Sequence, residues 1–280
     1  MRSLKRPWAV FTDLDGTLLD DATYRWAAAW AALEWMRRIR VPLILVTSKT
    51  RAETLPILRS LHRREPFVVE NGGAIYLPEG YFRFAVPGAR PAFGGWRRVV
   101  LGTPRSRLIL SLERAAQRAK VRVRSLSAMS VQEVADRTGM GLTEARRARR
   151  RDFDEPFVLL DGTDAAPRLC AEIRREGLHH TRGSRFFHIM GNNDKGAAVR
   201  KLAAWMRRVW GPKLGTVGLG DSPNDVPMLR AVDVPILVAR PGGRYDAETL
   251  AAVPRAQRAG GVGPEGWNRA VPRLLDEPLE

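Results

Sequence analysis

Phe11-Thr12-Asp13-Leu14-Asp15-Gly16-Thr17-Leu18-Leu19 decides the fold. Just before it, Trp8–Thr12 reads as a short buried strand. Two carboxylates, two residues apart, follow at once. Open α/β sheets bind ligands at the carboxyl ends of their strands. Gly16 permits a tight turn, and Thr17 can hydrogen-bond inside it. Aspartates in such a turn suit Mg2+, and one of them can attack phosphorus. The bland alternative is an Asx-rich turn that caps the following helix. The whole motif after an apolar strand favours chemistry over capping.

Outward from this motif the chain alternates strand and helix. Ala22–Arg40 reads as a helix, Val41–Val46 as a buried strand, Ala52–His62 as a helix and Phe67–Val69 as a third strand. Buried strands separated by helices predict a parallel α/β sheet with right-handed crossovers. Asn71-Gly72-Gly73 is a turn, and a hairpin is expected from Ala74–Leu77 and Tyr81–Val86 around Pro78-Glu79-Gly80. Residues 87–105, rich in Gly, Pro and Arg, suit a hinge. Residues 106–189 then carry their own helices and strands: Leu108, Leu112, Ala115 and Ala119 line one helix, Ser130-x-x-Glu133 is a capping box, and Phe157–Asp161 and Arg185–Met190 are strands. The α/β rhythm returns after Gly191, with a helical face of Val199, Leu202, Met206 and Val209 and strands at Gly215–Gly220 and Val234–Ala239. Residues 240–263 read as a long loop, and Trp267–Leu275 as a short last helix. The expectation is a Rossmann-like parallel-sheet core of residues 1–86 and 190–280, with an α/β domain of residues 87–189 inserted in it.

Three further motifs fall where the same sheet edge would lie. Thr47-Ser48-Lys49-Thr50 follows a strand; a hydroxyl and backbone N–H groups there suit a phosphate, or simply cap a helix. Asp194-Lys195-Gly196 opens a helix. Its lysine can neutralise phosphoryl charge and keep a carboxylate ionised, or point into solvent. Lysine occurs only at positions 5, 49, 120, 195, 201 and 213, so a lysine here is a choice against the prevailing arginine. Gly218-Leu219-Gly220-Asp221-Ser222-Pro223-Asn224-Asp225 ends another strand; Asp221 can bind a metal and Asp225 can orient it, or both can cap a helix. Proline at 223 excludes a dinucleotide fingerprint. Together the motifs describe a Mg2+-assisted phosphoryl-transfer site.

The composition sets the outer bounds. A chain of 280 residues with 44% hydrophobic and 28% charged residues folds, and holds one large or two modest domains. Cys170 stands alone, so an internal disulfide is excluded. No apolar run reaches the length of a membrane span or a signal-peptide core, and a cytoplasmic protein without a membrane partner is expected. Lys+Arg 47 against Asp+Glu 30 gives +17, which calls for an anionic partner. Nucleic acid is one candidate, with Arg146–Arg151 as the best patch. That run lacks interleaved aromatics and sits in no binding motif. Oligomeric state is not legible.

The motifs Asp13–Leu19, Thr47-Ser48, Lys195 and Gly220–Asp225 occur in the order found in the haloacid dehalogenase superfamily of aspartate-nucleophile phosphatases, which the chain resembles. The insertion looks like that superfamily's C2-type cap. TSKTRAE (47–53), ENGGAIY (70–76), ADRTG (135–139), DEPF (154–157), GSRFFHI (183–189), GLGDSPNDVPML (218–229) and GPEGW (263–267) further resemble the mannosyl-3-phosphoglycerate phosphatases. The resemblance implies Asp13 as nucleophile and Asp15 as general acid and base. It implies Mg2+ on Asp13, Asp221 and the carbonyl of Asp15, phosphoryl oxygens on Ser48 and Lys195, and support from Asp225 and Asn224. It implies a small phosphorylated sugar-glycerate as substrate and a mannosylglycerate compatible solute as product. Glucosyl-3-phosphoglycerate or a wider range of sugar phosphates are the alternatives. Asn71, Arg137, Glu155, Arg185 and His188 are the candidates for the sugar and carboxylate.

Overall fold

The computed structural model describes residues 6–182 and 186–276. In chain order the strands are β1 (Trp8–Thr12), β2 (Leu43–Val46), β3 (Phe67–Val69), β4 (Ala74–Pro78), β5 (Arg90–Pro91), β6 (Trp96–Val100), β7 (Val123–Ser125), β8 (Asp154–Leu159), β9 (His179–Arg182), β10 (Phe187–Met190), β11 (Gly215–Gly220), β12 (Val234–Ala239) and β13 (Gln257–Val262). The large sheet runs β13-β12-β11-β1-β2-β3-β4-β6-β5. It is parallel from β13 to β3 and antiparallel beyond. From β1 the chain steps one way to β2 and β3. After the insertion it steps the other way through β11, β12 and β13. That reversal opens a crevice at the carboxyl ends of β1 and β11.

Every residue of β1, β2, β11 and β12 is buried, because helices cover both faces of the sheet. Alternate residues feed two cores, as a period of two demands. Val10, Leu43 and Leu219 face Met36, Trp267 and Leu274 on one side. Phe11, Ile44 and Val46 face Val199, Leu202 and Met206 on the other. The helix Gly263–Asp276 also fastens the active edge: Trp267, fully buried, donates its indole N–H to Thr12 Oγ1 at 3.1 Å.

The smaller sheet, β7-β8-β10-β9, is antiparallel throughout. Helices Arg105–Ala119 and Ala166–Arg175 bury Leu108, Leu112, Leu169 and Ile173 against its Phe157 and Ile189. The expected box at Ser130 forms its first half, with the hydroxyl accepting from Glu133 N.

Three expectations change. The hairpin partner of β4 is β6, not residues 81–86. Tyr81, Phe82 and Phe84 pack instead against each other and against Trp205 and Trp210, so side-chain burial wins over strand pairing. Strands β5 and β6 therefore extend the large sheet, which the chain leaves after Val100. Residues 240–263 are not a loop. Asp246 caps a helix over Ala247–Ala252 by accepting from Thr249 N at 2.8 Å, and β13 then pairs with β12. The helix after the first motif starts late, with its α-helical part at Trp30–Arg38. Asp20 Oδ1 accepts from the N–H groups of Ala22 and Thr23, an Asx turn that competes with helix.

Candidate active site

The acidic motif stands where the sheet order reverses. Asp13 N donates to Leu219 O at 2.9 Å, so the β1–β11 ladder itself fixes the first aspartate. Leu14, Leu18 and Leu19 are buried and anchor the turn from below. Gly16 has φ of +71°, and a Cβ there would lie 3.1 Å from Asp221 Oδ2. Glycine thus serves both the turn and the approach of a second carboxylate.

Lys195 begins the helix Lys195–Trp210 behind its cap Asp194, which accepts from Ala197 N at 2.6 Å. That start is set by a second glycine: Gly72, at φ +90°, would bring a Cβ within 2.1 Å of Asp194 O. The lysine is 1% exposed and donates to Asp13 Oδ1 at 2.7 Å and to Asp225 Oδ1 at 2.6 Å. Asp225 Oδ2 accepts from the N–H groups of Asp221 (3.0 Å) and Ser222 (3.2 Å). Asn224 lies beside it, its Oδ1 accepting from Ser222 Oγ at 2.6 Å. Asp221 accepts from Thr17 Oγ1 and from Arg240 Nε, each at 3.2 Å.

The charges do not cancel. Burial raises Asp13 well above the usual carboxylate range, and Asp225 and Asp221 add to this while Lys195 opposes it. Burial and the charge of Asp225 push Asp221 up to about 6 against Arg240 and Lys195. Burial works against the ammonium of Lys195, yet Asp13 and Asp225 hold it above its ordinary value, so it stays charged. Ligand atoms of Asp13, Asp221 and Asp225 lie within 4.8 Å of one another. Asp225 also ties Lys195 to the N–H groups of Asp221 and Ser222, and the three carboxylates together are the oxygen donors at this point. A buried all-oxygen set with excess negative charge fits a hard divalent cation.

At the end of β2 the capping reading of the Thr47–Thr50 run falls on its last residue. Thr50 and Glu53 form a full capping box for the helix Arg51–Ser60. Ser48 is no cap; it is partly buried at the strand end, and its carbonyl accepts from Arg151 Nη2 at 2.6 Å. Lys49 is buried and forms an ion pair with Asp15 at 2.8 Å. Burial opposes its charge, but Asp15 and Glu53 hold it above its ordinary value.

The smaller sheet presents a second buried cluster to this edge. Asp154 is fully buried, with His188 Nδ1 2.9 Å and 3.0 Å from its two oxygens and Arg151 Nη2 at 3.0 Å. Burial acts to raise this carboxyl, but His188 and Arg151 lower it to about 2. Asn71 Nδ2 donates to Asp154 Oδ2 at 3.4 Å, and Asn224 Nδ2 lies 3.5 Å from Asn71 Oδ1. Glu70 accepts from the N–H groups of Asp152 and Phe153. Burial pushes it up to about 7 in spite of Arg151. Glu70 and Asn71 both have positive φ, so the backbone between the two sheets is strained there.

Of the expected site residues, Asp13, Asp221, Asp225, Asn224 and Lys195 meet in one cluster, with Asp15 and Ser48 on the adjoining loops. Asn71 reaches it through Asn224, and His188 is linked to Asn71 through Asp154. Arg137 does not: it sits 3.6 Å from Glu133 on its own helix. Glu155 is fully buried between Arg105 Nε and Ser127 N, a support inside the smaller unit. Arg185 lies outside the described residues. Lys49, Arg151, Asp154 and Arg240 were not singled out from the sequence. Lysine's rarity marks Lys49 as well as Lys195.

Comparison with known proteins agrees with this geometry. Residues 10–85 match the model of the haloacid dehalogenase-like hydrolases. Glucosyl-3-phosphoglycerate/mannosyl-3-phosphoglycerate phosphatase from Methanococcoides burtonii is 38% identical over 266 residues, covering 95% of this chain and 96% of that one. The protein of the same name from Persephonella marina is 36% identical over 269 residues, covering 96% and 97%. A phosphatase of the haloalkanoate superfamily from Bacteroides thetaiotaomicron shares the fold at a TM-score of 0.62, with 18% identity and coverage of 96% and 94%. The chain is a phosphoric monoester hydrolase of the haloacid dehalogenase-like family, and within it belongs to the glucosyl-3-phosphoglycerate/mannosyl-3-phosphoglycerate phosphatases.

Proposed function

We propose that this enzyme uses Mg2+ to hydrolyse a 2-O-hexosyl-3-phosphoglycerate, mannosyl or glucosyl, to the hexosylglycerate and phosphate. The carrying observation is Lys195 clamped between Asp13 and Asp225 beside Asp221. The names of the two relatives support the substrate. Asp13 attacks phosphorus, and the ester oxygen leaves with a proton from Asp15. Asp15 then takes a proton from water, which attacks the aspartyl-phosphate and frees phosphate. Lys195 opposes protonation of Asp13 and, with Ser48, receives phosphoryl oxygens. Asp225 orients Lys195 and the loop that carries Asp221. Asp13, Asp221 and the carbonyl of Asp15 would hold the cation, which neutralises developing phosphoryl charge. Asn71 and His188, braced by Asp154, are the proposed sugar contacts. The two parts of the large sheet form the core, and the smaller sheet with its helices forms the cap.

The test is a comparison of kcat/KM for mannosyl-3-phosphoglycerate, glucosyl-3-phosphoglycerate and plain hexose phosphates, with and without EDTA. The Asp13→Asn variant serves as the inactive control. Similar constants for all esters would overturn the narrow substrate, and EDTA-insensitive turnover would overturn the cation.

A further inference from the structure

We infer that Lys49 is the cation that receives the carboxylate of the leaving glycerate, an inference that rests on the substrate reading above. The general acid ties the two together. Asp15 must meet the ester oxygen, and in a 3-phosphoglycerate the carboxylate carbon is only three bonds from that oxygen. The carboxylate therefore lands among the immediate neighbours of Asp15. The ammonium of Lys49 is one of them, 2.8 Å from Asp15 Oδ2.

Among the described residues, four other cations near this edge already have carboxylate or carbonyl partners. Lys195 is shared by Asp13 and Asp225. Arg151 spans Ser48 O and Asp154, with its side chain 6% exposed. Arg240 bridges Asp221 and Asp246 on the far side of the metal ligands. Arg105 is paired with Glu155 and Arg149 O.

Lys49 has room for a second anion. An ammonium carries three N–H donors, and its ion pair with Asp15 engages one. Glu53, the other carboxylate nearby, accepts from Thr50 N at 2.8 Å in the helix cap. The Tyr24 ring lies 5.0 Å from the ammonium, within cation–π range. Burial makes the choice selective, since a site built around a charge disfavours a ligand that lacks the matching one.

The experiment compares two esters that differ only in the recognised group. One is 2-O-glucosyl-3-phosphoglycerate; the other is 2-O-glucosylglycerol 3-phosphate, with CH2OH in place of the carboxylate. The ratio of their kcat/KM values is measured for the wild type, Lys49→Met and Lys49→Arg. The wild type should prefer the carboxylate ester, and Lys49→Met should shrink that ratio by about 10- to 100-fold, the worth of one charged hydrogen bond. Lys49→Arg should recover part of it. A ratio unchanged in Lys49→Met, or an equal loss on both esters, overturns the inference and leaves Lys49 serving Asp15 alone. A wild type that hydrolyses neither ester overturns the substrate reading first.

Discussion

Replacing Lys195 by methionine probes the electrostatics of the site, because the side chain stays unbranched, one atom shorter, and loses its ammonium. In the wild type the ammonium donates to Asp13 at 2.7 Å and to Asp225 at 2.6 Å. Each hydrogen bond to a charged group is worth about 1.5–3 kcal/mol, so their loss removes about 3–6 kcal/mol. Breaking a buried ion pair from one side independently suggests about 3–5 kcal/mol. Urea unfolding in EDTA should therefore show Lys195→Met destabilised by several kcal/mol. The double variant Lys195→Met/Asp225→Asn removes one of the two abandoned charges and should recover about 1–3 kcal/mol of that. The pH dependence has a fixed sign. Asp13 already lies well above its unfolded value and rises further without the lysine. The folded state then binds a proton that the unfolded state does not, so stability falls as pH rises. The deficit of the variant should narrow between pH 7 and pH 5. Turnover should drop by about 10²–10³-fold or more, since Asp13 loses its ionised form and the phosphoryl group loses a cation. A single variant as stable as the double one, or one within tenfold of wild-type kcat/KM, refutes the reasoning.

Three more outcomes follow from the geometry. Mg2+ should raise the melting temperature of the wild type by several degrees at about 100 times its dissociation constant, where binding adds about 2.7 kcal/mol, and Asp221→Asn should abolish that shift in a thermal melt. Asp154→Asn should cost about 3–5 kcal/mol in denaturant titration, because it strands the buried guanidinium of Arg151. Glu70, pushed up to about 7, favours its protonated form in the folded state, so its contribution to stability is lost as pH rises toward 7. Unfolding of Glu70→Gln between pH 4.5 and 7 should show a flatter pH dependence than the wild type; an unchanged slope would remove Glu70 as its source.

What could be read directly from the chain was the part that repeats with a short period or sits at a strand end. Alternation and buried runs located β1, β2, β3, β11 and β12, and the turn residues after them located Asp13, Asp221 and the run that supplies the cap Thr50. The rest depended on distance. Residues 81–86 look like a strand, but three aromatics bury themselves on the sheet instead. Glu155 lies in a motif of the smaller unit and turns out to be held by Arg105, fifty positions earlier in the chain. Asp154, next to it, is the residue that joins the two sheets, and nothing local distinguishes the two carboxylates. Strand alternation sends one toward the cleft and the other into the smaller unit's core.

The charge reading changes most. The run Arg146–Arg151 reads as a nucleic-acid patch, yet part of it, the Arg147 carbonyl and the Arg151 guanidinium, is used at the junction between the sheets. Thr50 Oγ1 donates to Arg147 O, Arg105 to Arg149 O, and Arg151 grips Ser48 O and Asp154. At the site itself the balance is reversed: Asp13, Asp15, Asp221 and Asp225 face Lys49, Lys195 and Arg240. An anionic ester entering there meets carboxylates in excess, which the proposed divalent cation would offset. The net +17 acts at longer range, where it draws anions toward the protein, and fades within about one Debye length, ~8 Å at physiological salt. In the proposed mechanism attraction and selection are thereby separated, with the surface arginines supplying the first and two buried lysines and a metal site supplying the second.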